Sequence, residues 1–324
     1  MLVIKMTQIT NWPTNVLRGL FSHNITIFFG AGVAKEFGFP LWNEFIDTLK
    51  NEVSLPDNKK GIADEYYKED QKMEFIQTYF DANLEETMNL IMHEFKRDIP
   101  HEDLANSNEA LLLQLNAGSY ITTNIDNSLD VVKGLAGKMR AQIFWYNQDN
   151  DIKDKVISKD YAKDPLIIRL HGSLNDTKNL IFSRDQYTKI SSSNSFVMKK
   201  LLPALFITTT VLFVGYSIND PDVLRVITDS YSPENIQHNF FILTNEQDKL
   251  LPEQEKYGVK AITMNYPDIH DQTEILKRAL TELVKIRNHF DTPEGYTFAN
   301  DIINSGEKSR MASLNDIINR KSQR

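Results

Sequence analysis

Apolar residues along this chain fall into two kinds of run. The first kind is short and unbroken: "ITIFF" (25–29), "YITTN" (120–124), "LIIRL" (166–170), "VLFVG" (211–215), "FFILT" (240–244) and "VKAITMNY" (259–266). These runs are β-branched or aromatic and show little alternation, the pattern of strands covered on both faces. The second kind repeats its apolar positions at helical spacing. "NEFIDTLKNEVSL", "DEYYKEDQKMEFIQTYF", "NLEETMNLIMHEFKRDI" and "NEALLLQLN", all between residues 43 and 118, belong to it, with no convincing strand among them. Residues 7–22 read as a helix leading into the first strand. Residues 221–230 and 245–257 read as helices between later strands, and 271–290 as a closing helix. Strands alternating with helices predict an α/β fold with a parallel sheet, interrupted by a helical insertion.

The run "LLPALFITTTVLFVGYSIN" (201–219) carries no charge and is nearly long enough to span a bilayer. Pro203 and the threonines at 208–210 divide it, so it reads as a helix end, a turn and a buried strand. These patterns predict a core from residues 1–42 and 119–290, a helical insertion over 43–118, and a polar tail over 291–324. Ser313 is placed to cap a short helix in that tail, and its basic end reads as a solvated arm or an oligomer or partner contact.

Composition narrows the chemistry. The 324 residues are 41% hydrophobic and 25% charged, as in an ordinary water-soluble protein, and can bury a sizeable core. A net charge of -8 argues against a dedicated nucleic-acid binder. With no cysteine, disulfides, thiol nucleophiles and thiolate metal sites are excluded, and a reducing compartment fits. "MLVIKM" is too short an apolar run for a signal peptide.

Polar residues then cluster where strands end. Gly30-Ala31-Gly32 follows the first strand, and glycines let backbone turn tightly and approach a pyrophosphate. No acidic residue ends a second strand about 20 residues on, so the dehydrogenase fingerprint is missing. Asn124 and Asp126 follow the second predicted strand, at the edge where open parallel sheets bind ligands; helix capping by Asp126 or Asn127 is the plainer account. His171 stands between a strand and Gly172, where an imidazole can act as a general base or simply bond a carbonyl. The other histidines, at 23, 93, 101, 238, 270 and 289, fall in polar or helical surroundings and read as surface residues. "VLFVGYSINDPDVLRVI" ends a strand in Gly215-Tyr216-Ser217. Capping accounts for Asp220 and Pro221, but not for Gly215 or Ser217.

In this order the motifs resemble the sirtuin superfamily: Gly-Ala-Gly with Gly38 and Pro40 after it, Asn-Ile-Asp (124–126), His-Gly (171–172) and Gly-x-Ser (215–217). The forms "TTNID", "LHGS" and "GYSIND" are closest to the sirtuin-like NADase domains of bacterial anti-phage systems. The resemblance runs from Ile25 to about Tyr266, and the insertion matches only in kind. It implies a Rossmann-like open parallel sheet. Deacylating sirtuins carry a four-cysteine zinc module, which this chain cannot build. Ala34 replaces a frequent hydroxyl residue, and Pro40-Leu41-Trp42-Asn43 replaces Pro-Asp-Phe-Arg.

The resemblance implies NAD+ as substrate, with no metal. Gly30, Ala31 and Gly32 would hold the phosphates, and Gly215 and Ser217 would line the phosphate and ribose path. Asp126 would accept from the carboxamide, Asn124 would hold the attacking water or ribose hydroxyls, and His171 would serve as base. Asn245, after "FFILT", could bond the adenosine ribose. The function expected is a cytoplasmic NAD+ glycohydrolase that depletes NAD+ in abortive infection. It would be restrained through homo-oligomerisation or a partner such as a hexameric ATPase or an Argonaute-like protein, with no membrane and no direct nucleic-acid contact. The competing functions are an NAD+-dependent protein deacylase and a non-catalytic NAD-binding assembly module.

Overall fold

The computed structural model describes residues 10–135, 141–158, 164–192, 194–218, 221–230, 239–245 and 257–292. Helix α1 (Thr14–Phe21) starts after Pro13, which has no N–H to donate and holds extended backbone at the helix entry. Of the helix expected over 7–22, residues 10–13 are not helical, and 7–9 lie outside the described residues. Strand β1 (Ile25–Phe29) is buried throughout, and α2 (Ala31–Ala34) is a single turn. A 3₁₀ turn (Lys35–Phe37) follows and stops at Gly38, whose φ of 80° suits glycine.

Helices α3 (Trp42–Glu52), α4 (Asp57–Lys68), α5 (Lys72–Ala82) and α6 (Leu84–Phe95) come next. Helix α7 (Asn108–Gln114) is capped by Ser107, whose side chain accepts from Ala110 N–H. The second half alternates more regularly: β2 (Ser119–Thr122), α8 (Ser128–Leu135), β3 (Ile143–Trp145), α9 (Asp149–Ser158), β4 (Leu166–Arg169) and α10 (Arg184–Ser192). A π-helical turn (Val197–Leu201) leads into α11 (Leu202–Thr208), and Thr209 ends that helix before β5 (Thr210–Val214). The uncharged run at 201–219 is thus a helix, a turn and a strand. Helix α12 (Pro221–Ser230), β6 (Phe240–Asn245), β7 (Lys260–Met264) and α13 (Gln272–Phe290) complete the chain as described. Asp271 caps α13, its Oδ1 accepting from the N–H groups of Thr273 (2.7 Å) and Glu274 (3.1 Å).

Most of the helix expected over 245–257, Asp220, Ser313 and all but the first two residues of the predicted tail lie outside the described residues. The expected strands are present with shifted ends. Strand β3 has no counterpart among the expected strands, because three residues bounded by polar neighbours leave too short a period to read.

The seven strands form one sheet, ordered β3-β4-β2-β1-β5-β6-β7, with every pairing parallel. Side chains alternate between its faces. Ile25, Ile27, Phe29, Tyr120, Ile167, Leu212 and Val214 pack on one face under α1, α7 and α13. Phe28, Ile121, Ile168, Val211, Phe213 and Ile242 pack on the other, under α9 to α12. A third cluster binds α3, α5 and α6 through Phe45, Leu49, Phe75, Ile76, Ile91 and Phe95. Ile125, Leu174, Leu180 and Phe182 share that cluster, so the helices after β1 pack directly on the loops that follow β2 and β4. Among the described residues, no helix is long and apolar enough to cross a membrane.

Candidate active site

Strand β1 lies between β2 and β5, and the chain leaves it first toward one edge of the sheet and later toward the other. That reversal opens a crevice at the carboxyl ends of β1 and β5. Gly30 directly follows β1, and Gly215 directly follows β5. Phe29 pairs with Val214, so the two glycines are level with each other.

The Gly30–Gly32 turn and the 215–216 turn pack backbone to backbone. Gly30 N–H donates to Val214 O (3.1 Å), Gly32 N–H to Gly215 O (3.0 Å), and Val33 N–H to Gly30 O (3.0 Å). A Cβ on Gly30 would lie 2.6 Å from Tyr216 Cδ2 and 2.8 Å from Gly215 O. One on Gly32 would lie 2.9 Å from Gly215 Cα. Contacts so close explain both glycines through the approach of the two turns, before any ligand is considered. Three amides of residues 30–33 are already bonded to carbonyls. Helix α2 is only four residues long and adds little dipole, so an anion here would be held by individual groups. Tyr216 packs on the sheet face that carries Phe28 and Phe213, its ring 4.7 Å from the first and 6.0 Å from the second.

Asn124 and His171 follow neighbouring strands, β2 and β4. Thr122 pairs with Arg169, and each polar residue lies two positions beyond that pair. Both therefore leave the sheet at the same edge, from strands that are direct neighbours. Both side chains are 9% exposed. Asn124 Nδ2 is buried and finds no hydrogen-bond partner among the described residues. Buried amides without partners are rare, and such a donor at a strand end is suited to an incoming acceptor. His171 Nε2 lies 3.4 Å from Tyr187 Oη, with the tyrosine ring edge-on to the imidazole. Gly172 has a φ of 85°, and a Cβ there would meet Asn179 O at 2.5 Å, so glycine is needed for the turn that presents His171.

Asp126 is 3% exposed. Its Oδ1 accepts from Ser128 N–H (3.0 Å) and lies in short contact with Ser128 Oγ. Its carbonyl accepts from Arg169 Nη2 (2.9 Å). Asp126 thus forms an Asx turn onto the first amide of α8, while the Asn127 side chain goes to the Arg97 backbone instead. Burial pushes the Asp126 carboxyl up, and the bonds from Ser128 together with the Arg169 charge draw it back. Ser217 is exposed beside Gly215. Asn245 ends β6, and its Nδ2 donates to Gln272 Oε1 (2.5 Å).

Three further residues contact these candidate residues or their neighbours without a motif to mark them in the sequence. Arg169 is fully buried at the end of β4, 3.1 Å from Asp130 Oδ2 and 3.4 Å from Ser173 Oγ. A charge inside "LIIRL" is the available signal, because a buried guanidinium needs partners. Glu109, on α7, is 1% exposed and reaches Ser128 Oγ at 2.8 Å. An acid in the first turn of a helix looks ordinary, so neither it nor Ser128 carries a signal. Among the described residues, no cluster of three or more His, Cys, Asp or Glu side chains is placed to hold a metal ion. A separate cleft of about 360 Å³ lies between α3, α4 and α5, lined by Asp47, Tyr67, Lys72 and their neighbours, and holds none of the strand-end residues.

Comparison with known proteins adds relatives to this geometry. Residues 118–262 match the family model of the SIR2-like domain. The matched span holds Asn124, Asp126, His171, Gly215, Ser217 and Asn245, so the motif-based resemblance meets an independent match there. NAD(+) hydrolase ThsA of Bacillus cereus (strain MSX-D12) is 24% identical over 80% of this chain and 54% of its own length. The protein of the same name from Enterococcus faecium is 26% identical over 64% of this chain and 40% of its own. That from Cytobacillus dafuensis is 26% identical over 65% and 39%. The chain thus spans about half or less of the length of these curated relatives. A Sir2 enzyme chain of known structure overlays 85% of this chain and 98% of itself at 12% identity, with a TM-score of 0.41.

Proposed function

We propose that this chain is an NAD+ glycohydrolase, cleaving the nicotinamide–ribose bond with water to give nicotinamide, ADP-ribose and a proton. The reading rests above all on one observation: Asn124, with its buried unpartnered amide, follows β2 just as His171 follows the neighbouring β4, each two residues beyond the Thr122–Arg169 pair, and β2 borders β1, which leads into Gly30. The names of the similar proteins agree with it.

The bond breaks through an oxocarbenium-like transition state, and nicotinamide leaves neutral. Little covalent chemistry is asked of the protein, so positioning supplies much of the rate. Asp126 accepts from the carboxamide and fixes the leaving group. Asn124 donates to the attacking water or the ribose hydroxyls. His171 takes a proton from that water, directly or through a ribose hydroxyl. Gly30–Gly32 and Gly215 bring backbone to the diphosphate, Ser217 lines the ribose path, and Asn245 bonds the adenosine ribose after leaving Gln272. Residues 1–42 and 119–290 form the catalytic core, with 43–118 inserted in it. In an anti-phage setting the activity would be cytoplasmic and restrained by self-assembly, or by a partner such as a hexameric ATPase or an Argonaute-like protein, through the insertion and the tail.

The test is nicotinamide release from NAD+ by the purified protein with no acylated peptide present. Asn124→Ala and His171→Ala are each expected to abolish release while the far-UV circular dichroism stays unchanged. Full turnover by both variants would overturn the assignment. Release only with an acyl-lysine peptide would indicate a deacylase, and binding without turnover an assembly module.

A further inference from the structure

Ser128 Oγ stands between two buried carboxyl groups, 2.8 Å from Glu109 Oε1 and in short contact with Asp126 Oδ1. A hydroxyl carries one hydrogen and can donate to only one of them. With both acids ionised, the second contact would set lone pair against lone pair. The chain of contacts is bonded throughout only if one carboxyl carries a proton. Asp126 has a second donor in Ser128 N–H and its backbone oxygen is held by Arg169, whereas Glu109 Oε2 has no partner among the described residues. The proton therefore belongs on Glu109.

We propose that Glu109 is a positioning residue, which donates its proton to Ser128 Oγ so that Ser128 donates to Asp126 and holds that carboxylate in one orientation toward the substrate. This rests on the reading above, in which Asp126 receives the carboxamide. Burial, with the Asp126 charge adding to it, pushes the Glu109 carboxyl well above the usual range, in agreement. The charged groups facing Glu109 are Asp126, Arg169 and Glu36. Lys277, on α13, neutralises Glu36 at 3.1 Å, and Asp130 neutralises Arg169.

Two measurements test this. In the first, carboxyl ¹³C resonances of the whole protein are followed from pH 5 to 9. One glutamate is expected to keep its proton at pH 7 and to vanish from the spectrum in Glu109→Gln. In the second, KM for NAD+ and kcat are measured over the same range. Glu109→Ala is expected to raise KM about tenfold through loss of orientation, with a smaller change in kcat. In the parent, KM is expected to rise at alkaline pH as Glu109 loses its proton; Glu109→Gln, which restores a neutral donor, is expected to recover most of the loss seen in Glu109→Ala and to abolish that rise. The proposal is overturned if no glutamate of the folded protein is protonated at pH 7, or if Glu109→Gln keeps the alkaline rise of the parent. A protein that releases no nicotinamide removes the substrate reading alone, and the carboxyl titration still decides where the proton is.

Discussion

Gly215 holds its backbone at a φ of +56°, and a Cβ there would lie 2.7 Å from Val33 N. Gly215→Ala thus meets a left-handed penalty of about 1 kcal/mol and a clash relieved only by parting the two turns, for a total of about 2–4 kcal/mol. Gly61 is the control. It lies on α4 with nothing within 4 Å of an added methyl group, so Gly61→Ala is expected to stabilise by about 0.5–1 kcal/mol. Urea midpoints of the two variants should move in opposite directions; a shared direction would refute the account of Gly215. At this scale the site is half legible in the sequence. Asn124, Asp126 and His171 stand out because they interrupt apolar runs at strand ends. Glu109 and Ser128 do not, because their meaning comes from a contact between residues 19 apart in sequence, on α7 and α8.

The helices inserted after β1 grip the site loops at the scale of elements. Asn127 bonds the Arg97 backbone twice, donating to its carbonyl (2.8 Å) and accepting from its N–H (3.0 Å). Asn127→Ala is expected to cost about 1 kcal/mol. Amide exchange should speed up at residues 124–128 while β1 and β5 stay protected; uniform acceleration would argue against a local clamp. Phe182, after β4, packs against Trp42 and Phe45 of α3 and Phe95 of α6. Its truncation to Ala should destabilise by about 3–5 kcal/mol, read as a lowered urea midpoint. Elements are legible in proportion to their burial. The central strands are buried at every position and read plainly as apolar runs. Helix α9 buries only Ile152, so its sequence has almost no period to detect.

At the scale of the whole molecule, buried acids oppose surface ones. Burial raises the carboxyls of Glu36, Glu109, Asp126 and Glu282. Their stabilising effect is full below the unfolded values, near pH 4, and is lost as pH rises through the folded values. Asp271, bonded by backbone N–H groups, and Glu44, bonded by Lys35, are lowered and act in the opposite sense, losing stability as pH falls. These two are exposed and screened, so the buried set dominates. The urea midpoint is therefore expected to be higher at pH 5.5 than at pH 8.5, and Glu109→Gln should narrow the difference. An equal or larger midpoint at pH 8.5 would show that the surface pairs prevail.

The order of the strands bears on how the chain is made. In β1, Thr26 bonds Ser119, which lies 93 residues further on, and Thr209, which lies 183 further on. Of the seven strands described, the one made first is thus the middle of the sheet, and its last neighbour arrives roughly ten to forty seconds later at ordinary translation speeds. Through that interval "ITIFF" is an apolar segment with an open edge, of the kind that seeds aggregation. The nascent protein is expected to lean on chaperones until residue 214 emerges, and a chain truncated before β5 should be insoluble.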